Sequence, residues 1–133
     1  MLQQRALSKY HSPGLWTNTC CSHQRLGETN IVAGTRRLQE EMGLNANLKP
    51  AFSFLYEAKL DQGLTEHEID HVVFGYTNDK PNINPDEVAA YKWITIDQLT
   101  QELEKNRGSF TVWFQILLDQ HLEKIIKAAN ESM

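Results

Sequence analysis

The hydrophobic positions change their spacing from segment to segment, and each spacing predicts an element. From Ala51 to Leu60, Phe52, Phe54, Tyr56 and Ala58 alternate with Ser53, Leu55, Glu57 and Lys59, the period of two expected of a strand with one buried face. Asp61-Gln62-Gly63 reads as a turn, and Glu66 to Tyr76, centred on Val72-Val73-Phe74, is predicted to return as the partner strand. Upstream, Ser12-Pro13-Gly14 marks a turn, and the β-branched and aromatic run from Leu15 to Cys21 is predicted to be extended. Thr29 or Asn30 can cap a helix whose apolar positions are Ile31, Leu38 and Met42. The small residues Ala33 and Gly34 near its start allow close packing, and Gly43 and Asn45 end it. Lys80 to Pro85 is a loop, Val88 to Ile94 a short strand, and Thr95-Ile96-Asp97 caps a helix through Leu103. After Arg107-Gly108, the residues Trp113, Leu117, Leu118, Leu122, Ile125, Ile126 and Ala129 recur at helical spacing, with Glu123, Lys124 and Lys127 between them. Strands and helices in this mixture predict an α+β fold, an α/β/α sandwich.

The 133 residues suffice for one hydrophobic core but hardly for two, so residues 1–133 read as a single domain. No apolar run is long enough to cross a bilayer, and the first residues lack the pattern of a signal peptide. The expected compartment is the cytoplasm, with no membrane partner. With 13 Lys+Arg against 17 Asp+Glu the net charge is −4, which argues against nucleic acid as a main partner and leaves room for a local cationic pocket. The only two cysteines, Cys20 and Cys21, are adjacent. Neighbours cannot form an ordinary unstrained disulfide, so both are read as thiols.

The segment Arg36-Arg37-Leu38-Gln39-Glu40-Glu41-Met42-Gly43-Leu44 puts carboxylates and arginines on one short amphipathic helix, with Glu28 just ahead of it. Carboxylates on a rigid helix suit Mg2+, and arginine forks suit phosphate. On the helix alone, a solvated face laced with ion pairs is the commoner meaning of such a run. Glu28, Arg36, Leu38, Glu40, Glu41, Gly43 and Leu44 match a Nudix box, G-x5-E-x7-R-E-U-x-E-E-x-G-U, where U is aliphatic. Ser22 stands in place of the first glycine and Arg37 in place of the glutamate after the arginine.

Arg5-Ala6-Leu7-Ser8-Lys9, followed by Pro13-Gly14-Leu15-Trp16-Thr17-Asn18-Thr19-Cys20-Cys21-Ser22-His23, resembles the type 1 isopentenyl-diphosphate Δ-isomerases. The resemblance continues at Tyr56, Glu66-His67-Glu68, Asp86-Glu87-Val88, Trp93 and Trp113, and so covers nearly the whole chain. It implies a Nudix-like α/β/α sandwich with a mixed sheet. It also implies conversion of isopentenyl diphosphate to dimethylallyl diphosphate by a 1,3-allylic proton shift in isoprenoid biosynthesis. Cys21 matches the family's thiol, a base or returning acid. Glu68 matches the proton donor opposite it, Tyr56 a phenol that assists protonation, and Trp113 an indole facing the reacting carbons. Arg5, Lys9 and Arg37 match the positions that hold the diphosphate, with Mg2+ bridging to Glu41. His23, Glu66 and Glu68 match ligands of a second divalent metal, Mn2+, Mg2+ or Zn2+.

The residues themselves are compatible with this chemistry without requiring it. On an extended segment Cys21 and His23 share a side and Cys20 faces away, where it fits a small buried hydrophobe. Glu66 and Glu68 share a face that His67 does not, and could equally be two solvated acids on a strand. Tyr56 by pattern is an ordinary strand aromatic, and most Trp residues on such a helix are core. Arg37 separates two activities: a hydrolase wants a further metal carboxylate there, whereas an isomerase must grip the diphosphate without cutting it. Two alternatives remain open, a Nudix hydrolase of a nucleoside diphosphate derivative and a non-catalytic diphosphate-binding remnant. The family pattern begins with a further segment carrying two more histidine ligands. The chain is therefore expected to be N-terminally shortened, with Met1 to Gln4 as the tail of a strand, and to be monomer or dimer. His11 and His67 do not match family positions.

Overall fold

A computed structural model describes residues 1–21, 23–59 and 63–131, without the side chains of Ala58 and Glu66. Ser22, Asp61 and Gln62, which the sequence assigns to the Nudix box and the hairpin turn, lie outside the described residues, as does the side chain of the metal candidate Glu66.

Residues Leu2–Arg5 form β1, the middle strand of a three-stranded sheet, between β2 (Trp16–Asn18) and β5 (Val88–Lys92). Both pairings are antiparallel, with a register shift between Gln4 and Arg5, and a parallel bridge joins Trp16 to Phe110. β3 (Lys49–Lys59) and β4 (Thr65–Phe74) form the antiparallel hairpin that the period of two predicts. Alternation sets its faces: Phe54 and Tyr56 are buried, whereas Leu55 and Ile69, paired across the hairpin, are exposed.

The helix α1 (Asn30–Met42) begins where the sequence places it, with the Thr29 side chain accepting a hydrogen bond from the Val32 amide. Gly43 ends it at φ 63°, and its amide caps the last turn. A side chain at Gly43 would put its Cβ 2.4 Å from the Asn82 carbonyl oxygen. This close approach lets the Asn82 and Asn84 amides donate to the carbonyls of Met42 and Glu41, each at 2.9 Å. The loop leading to Glu87 is thereby fixed against the end of the box helix. Helix α2 (Ile96–Lys105) carries a complete capping box between Thr95 and Gln98. A 3-10 turn at Arg107–Ser109 leads into α3 (Val112–Glu131). Its apolar residues keep the helical spacing of the sequence, and the helix kinks at His121, whose ring packs 4.7 Å from that of Phe54.

The small sheet is covered on both faces. Leu2 joins Phe54, Tyr56, Leu99, Leu103, Phe110, Trp113 and the apolar stripe of α3 in one buried cluster. Val88 and Tyr91 pack with Leu38, Met42 and Leu44 of the α1 region in another. That is the sandwich expected from the mixture of elements.

Candidate active site

The site grows from the ends of β1, β2 and β5, where the sheet meets α1 and the start of α3. Pairing of Arg5 with Val88, and the Ala6 amide donating to the Glu87 carbonyl at 3.1 Å, bring the cationic segment after β1 beside Glu87. Lys9 forms an ion pair with Glu87, and Arg37 forms one with Glu41, its Nη2 also lying 3.6 Å from Glu87 Oε2. Lys9 beside it, together with Arg37, holds Glu87 below the usual carboxylate range. Two of the three predicted diphosphate-binding cations thus share one carboxylate. The sequence marks Glu87 only as part of a motif; its signal is its place directly before a strand that pairs with β1.

Glu41 is 5% exposed, an unusual burial for a carboxylate. Besides Arg37 it accepts from Gln3 Nε2 at 3.1 Å and from Cys20 Sγ at 3.3 Å. The buried Gln3 amide also donates to the Thr19 carbonyl at 2.8 Å, tying the thiol-bearing segment to the box helix. Nothing in the sequence pattern marks Gln3 except that a polar residue stands in a strand. The outer face of α1 is the ion-pair lattice that a charge run suggests. Arg36 meets Glu28 at 2.8 and 3.0 Å and Glu40 at 2.7 Å, and donates to the His23 carbonyl at 3.3 Å. The Arg36 fork and the Arg25 amide draw the Glu28 carboxyl down to about 2.

The extended segment stops at Asn18, before the cysteines, so strict strand alternation does not govern them. Cys20, expected as a small hydrophobe, does pack against the Leu38–Met42 cluster, but its thiol is also bonded to Glu41. Burial, and then the negative charge of Glu41, push the Cys20 thiol far up. Cys21 Sγ donates to Asn18 Oδ1 at 3.3 Å, and Trp113 Nε1 donates to the same oxygen at 3.3 Å. Cys21 is exposed to solvent, and desolvation by the protein beside it raises its thiol above the ordinary value, against the lowering effect of Asn18, Trp113 and Arg5. The Arg5 guanidinium lies 5.3 Å from the centre of the Trp113 ring. Two predicted site residues, Cys21 and Trp113, therefore meet on Asn18, which the sequence marks with no role, and a third, Arg5, lies over the Trp113 ring.

Tyr56 and Glu68 face each other across the hairpin as a register pair. Tyr56 is 2% exposed and shares the buried cluster of Trp113, which connects the Glu68 side to the Cys21 side. His23 is exposed, and its described contact is through its carbonyl. Among the described residues no three His, Cys, Asp or Glu side chains gather as a metal-binding group, and the expected set of His23, Glu66 and Glu68 includes a side chain, that of Glu66, outside the described residues. A groove of about 410 Å³ lies elsewhere, lined by Thr29, Ile31, Phe52, His71 and Val73. A second, of about 260 Å³, lies beside Trp93 and Lys105. Neither contains Cys21, Glu68 or a predicted diphosphate ligand.

A NUDIX domain model matches residues 1–114. An isopentenyl-diphosphate Delta-isomerase of Photobacterium profundum is 46% identical over 94% of this chain and 71% of its own length. The chain belongs to the isopentenyl-diphosphate Delta-isomerase family of Nudix proteins. Family members from Pectobacterium atrosepticum and Serratia proteamaculans are 54% and 50% identical over 87% and 89% of the chain, which spans 65% and 66% of their lengths. A solved protein of Deinococcus radiodurans, 18% identical, superimposes with a TM-score of 0.68 over 90% of this chain and 73% of its own, a likeness of fold alone. Among the described residues no helix is long and apolar enough to cross a membrane.

Proposed function

We propose that the chain converts isopentenyl diphosphate to dimethylallyl diphosphate. One proton is added to the terminal methylene carbon and one is removed from the methylene on the other side of the branched carbon. The double bond moves while the diphosphate stays attached. The observation that carries this reading is the meeting of the Cys21 thiol and the Trp113 indole on Asn18, with the Arg5 guanidinium over the same indole. A proton carrier, an aromatic ring that tolerates a neighbouring cation and an anion-binding fork are three of the groups that an allylic proton shift on a diphosphate ester requires, Glu68 being the second proton carrier.

Cys21 and Glu68 stand on the two sides of the olefin, with Tyr56 assisting at Glu68 and the Trp113 ring facing the carbons that carry transient positive charge. Glu68, the proton donor, adds a proton on one side, and Cys21 on the other side takes up the proton that leaves. Arg5, Lys9 and Arg37 bind the diphosphate. In the unliganded chain Lys9 and Arg37 are neutralised by Glu87 and Glu41, and on binding they exchange carboxylate oxygens for phosphate oxygens. Arg37 favours gripping over cutting, because it stands where a hydrolytic box carries a further metal carboxylate.

Divalent cations are general to the family. The buried Glu41 with Glu87 is an all-oxygen carboxylate set of the kind that takes a hard cation, so the residues fit Mg2+. Bound there, Mg2+ supplies charge neutralisation to the diphosphate. His23, Glu66 and Glu68 offer one nitrogen and carboxylate oxygens to a second cation, Mn2+, Mg2+ or Zn2+. A chain acting this way works in the cytoplasm on a small-molecule substrate, with no nucleic-acid or membrane partner. Incubation with isopentenyl diphosphate and Mg2+ is expected to yield dimethylallyl diphosphate without orthophosphate. Orthophosphate release without the allylic product overturns the proposal in favour of hydrolysis.

A further inference from the structure

His11 lies outside every family motif in the sequence, yet the fold brings it into the site. Its ring meets the Trp113 indole edge-on, with centroids 5.9 Å apart and planes at 77°. Its carbonyl accepts from Arg5 Nη2 at 3.2 Å, so Arg5 and His11 are locked together on the indole that neighbours Cys21. The turn that aims the ring is strained: Ser12, which follows it, is 5% exposed and holds φ 51°, a region that non-glycine residues seldom occupy.

Two nitrogens of this pair, Arg5 Nε and His11 Nδ1, are buried with no hydrogen-bond partner among the described residues. A buried polar nitrogen left unmet, whether donor or acceptor, is costly, and native proteins rarely keep one without a reason. Two on neighbouring side chains, against the indole beside the catalytic thiol, mark a place where a ligand completes the hydrogen bonding. Lys9 and Arg37 sit further along, on Glu87 and Glu41.

We infer that His11 Nδ1–H and Arg5 Nε–H donate to the phosphate nearer the carbon chain, which makes His11 a diphosphate-binding residue of this chain. The inference rests on the proposed isoprenoid diphosphate substrate. The test is calorimetric titration of the full chain with Mg2+ and isopentenyl diphosphate, with steady-state kinetics and thermal midpoints alongside. His11→Phe keeps the ring against Trp113 and removes the nitrogen, and His11→Asn places an amide N–H near Nδ1. Affinity is expected to fall about 10- to 100-fold in His11→Phe, the worth of one charge-assisted hydrogen bond, with KM raised more than kcat is lowered. His11→Asn is expected to restore most of it. If His11→Phe does not fold, His11→Leu against His11→Asn makes the same comparison. Wild-type affinity in His11→Phe, or equal losses in the Phe and Asn variants, overturns the role of His11 and leaves the functional reading standing. No binding of isopentenyl diphosphate by the wild-type chain overturns that reading and the inference with it.

Discussion

Gly43 joins the box helix to the loop that delivers Glu87, and Gly43→Ala isolates how much that junction is worth. Two costs are expected. The first is intrinsic, because alanine must adopt φ 63°, at about 1 kcal/mol. The second is contact: the new Cβ would lie 2.4 Å from the Asn82 carbonyl oxygen and 2.8 Å from its Cβ, so the loop must retreat. Its retreat stretches or breaks the bonds from Asn82 N to Met42 O and from Asn84 N to Glu41 O, at about 1 kcal/mol each. The sum is about 3 kcal/mol. Gly27 separates the two costs, since it holds φ 85° with nothing within 4 Å of an added Cβ, so Gly27→Ala incurs only the first. In urea unfolding with unchanged m values, Gly43→Ala should lose about 2 kcal/mol more than Gly27→Ala. Equal losses in the two variants would refute the claim that close approach at Gly43 builds the site.

Gln3→Leu keeps the bulk in β1 but strips donors from the Thr19 carbonyl and from Glu41. It is expected to cost about 2 to 3 kcal/mol in urea unfolding, and a change below about 0.5 kcal/mol would count against the bridge. Glu28, drawn down to about 2 by Arg36, contributes stability that is full above its ordinary pKa and is lost as pH falls from about 4.5 through 2. Glu28→Gln should therefore flatten the fall of stability across that window in an acid titration followed by circular dichroism, while the wild-type slope retained would contradict the pairing. Arg37→Glu restores the box carboxylate but puts a third negative charge beside Glu41 and Glu87. Binding of isopentenyl diphosphate should drop by tenfold or more, measured by calorimetry, and unchanged affinity would remove Arg37 from the diphosphate site.

Much of the fold was legible because it rests on local chemistry. Thr29 and Gly43 punctuate α1 as expected, the alternation around Phe54 and Tyr56 is the buried face of β3, and Thr95 with Gln98 caps α2. Less legible were features decided by the fold at a distance. The kink at His121 arises where its ring is drawn onto Phe52 and Phe54, a contact that no periodicity in α3 announces. Within the site, Cys21, Trp113, Arg5, Lys9 and Arg37 were accessible through the family resemblance. Gln3, Asn18 and Glu87 acquire their roles only when β1 pairs with β5 and the loop after Gly43 docks on α1. Cys20 defeats a strand-based reading for the same reason: its thiol follows the position of Glu41 and not the alternation of an extended segment that ends at Asn18.

The central claim is that Cys21 exchanges a proton with the carbon skeleton of a bound diphosphate. Proton and deuterium NMR of isopentenyl diphosphate incubated with the chain and Mg2+ in heavy water reads this directly. The account predicts deuterium entering the allylic positions as dimethylallyl diphosphate forms, and no incorporation with Cys21→Ala despite retained substrate binding. Incorporation at the wild-type rate in Cys21→Ala, or none with the wild-type chain saturated with substrate, would contradict it.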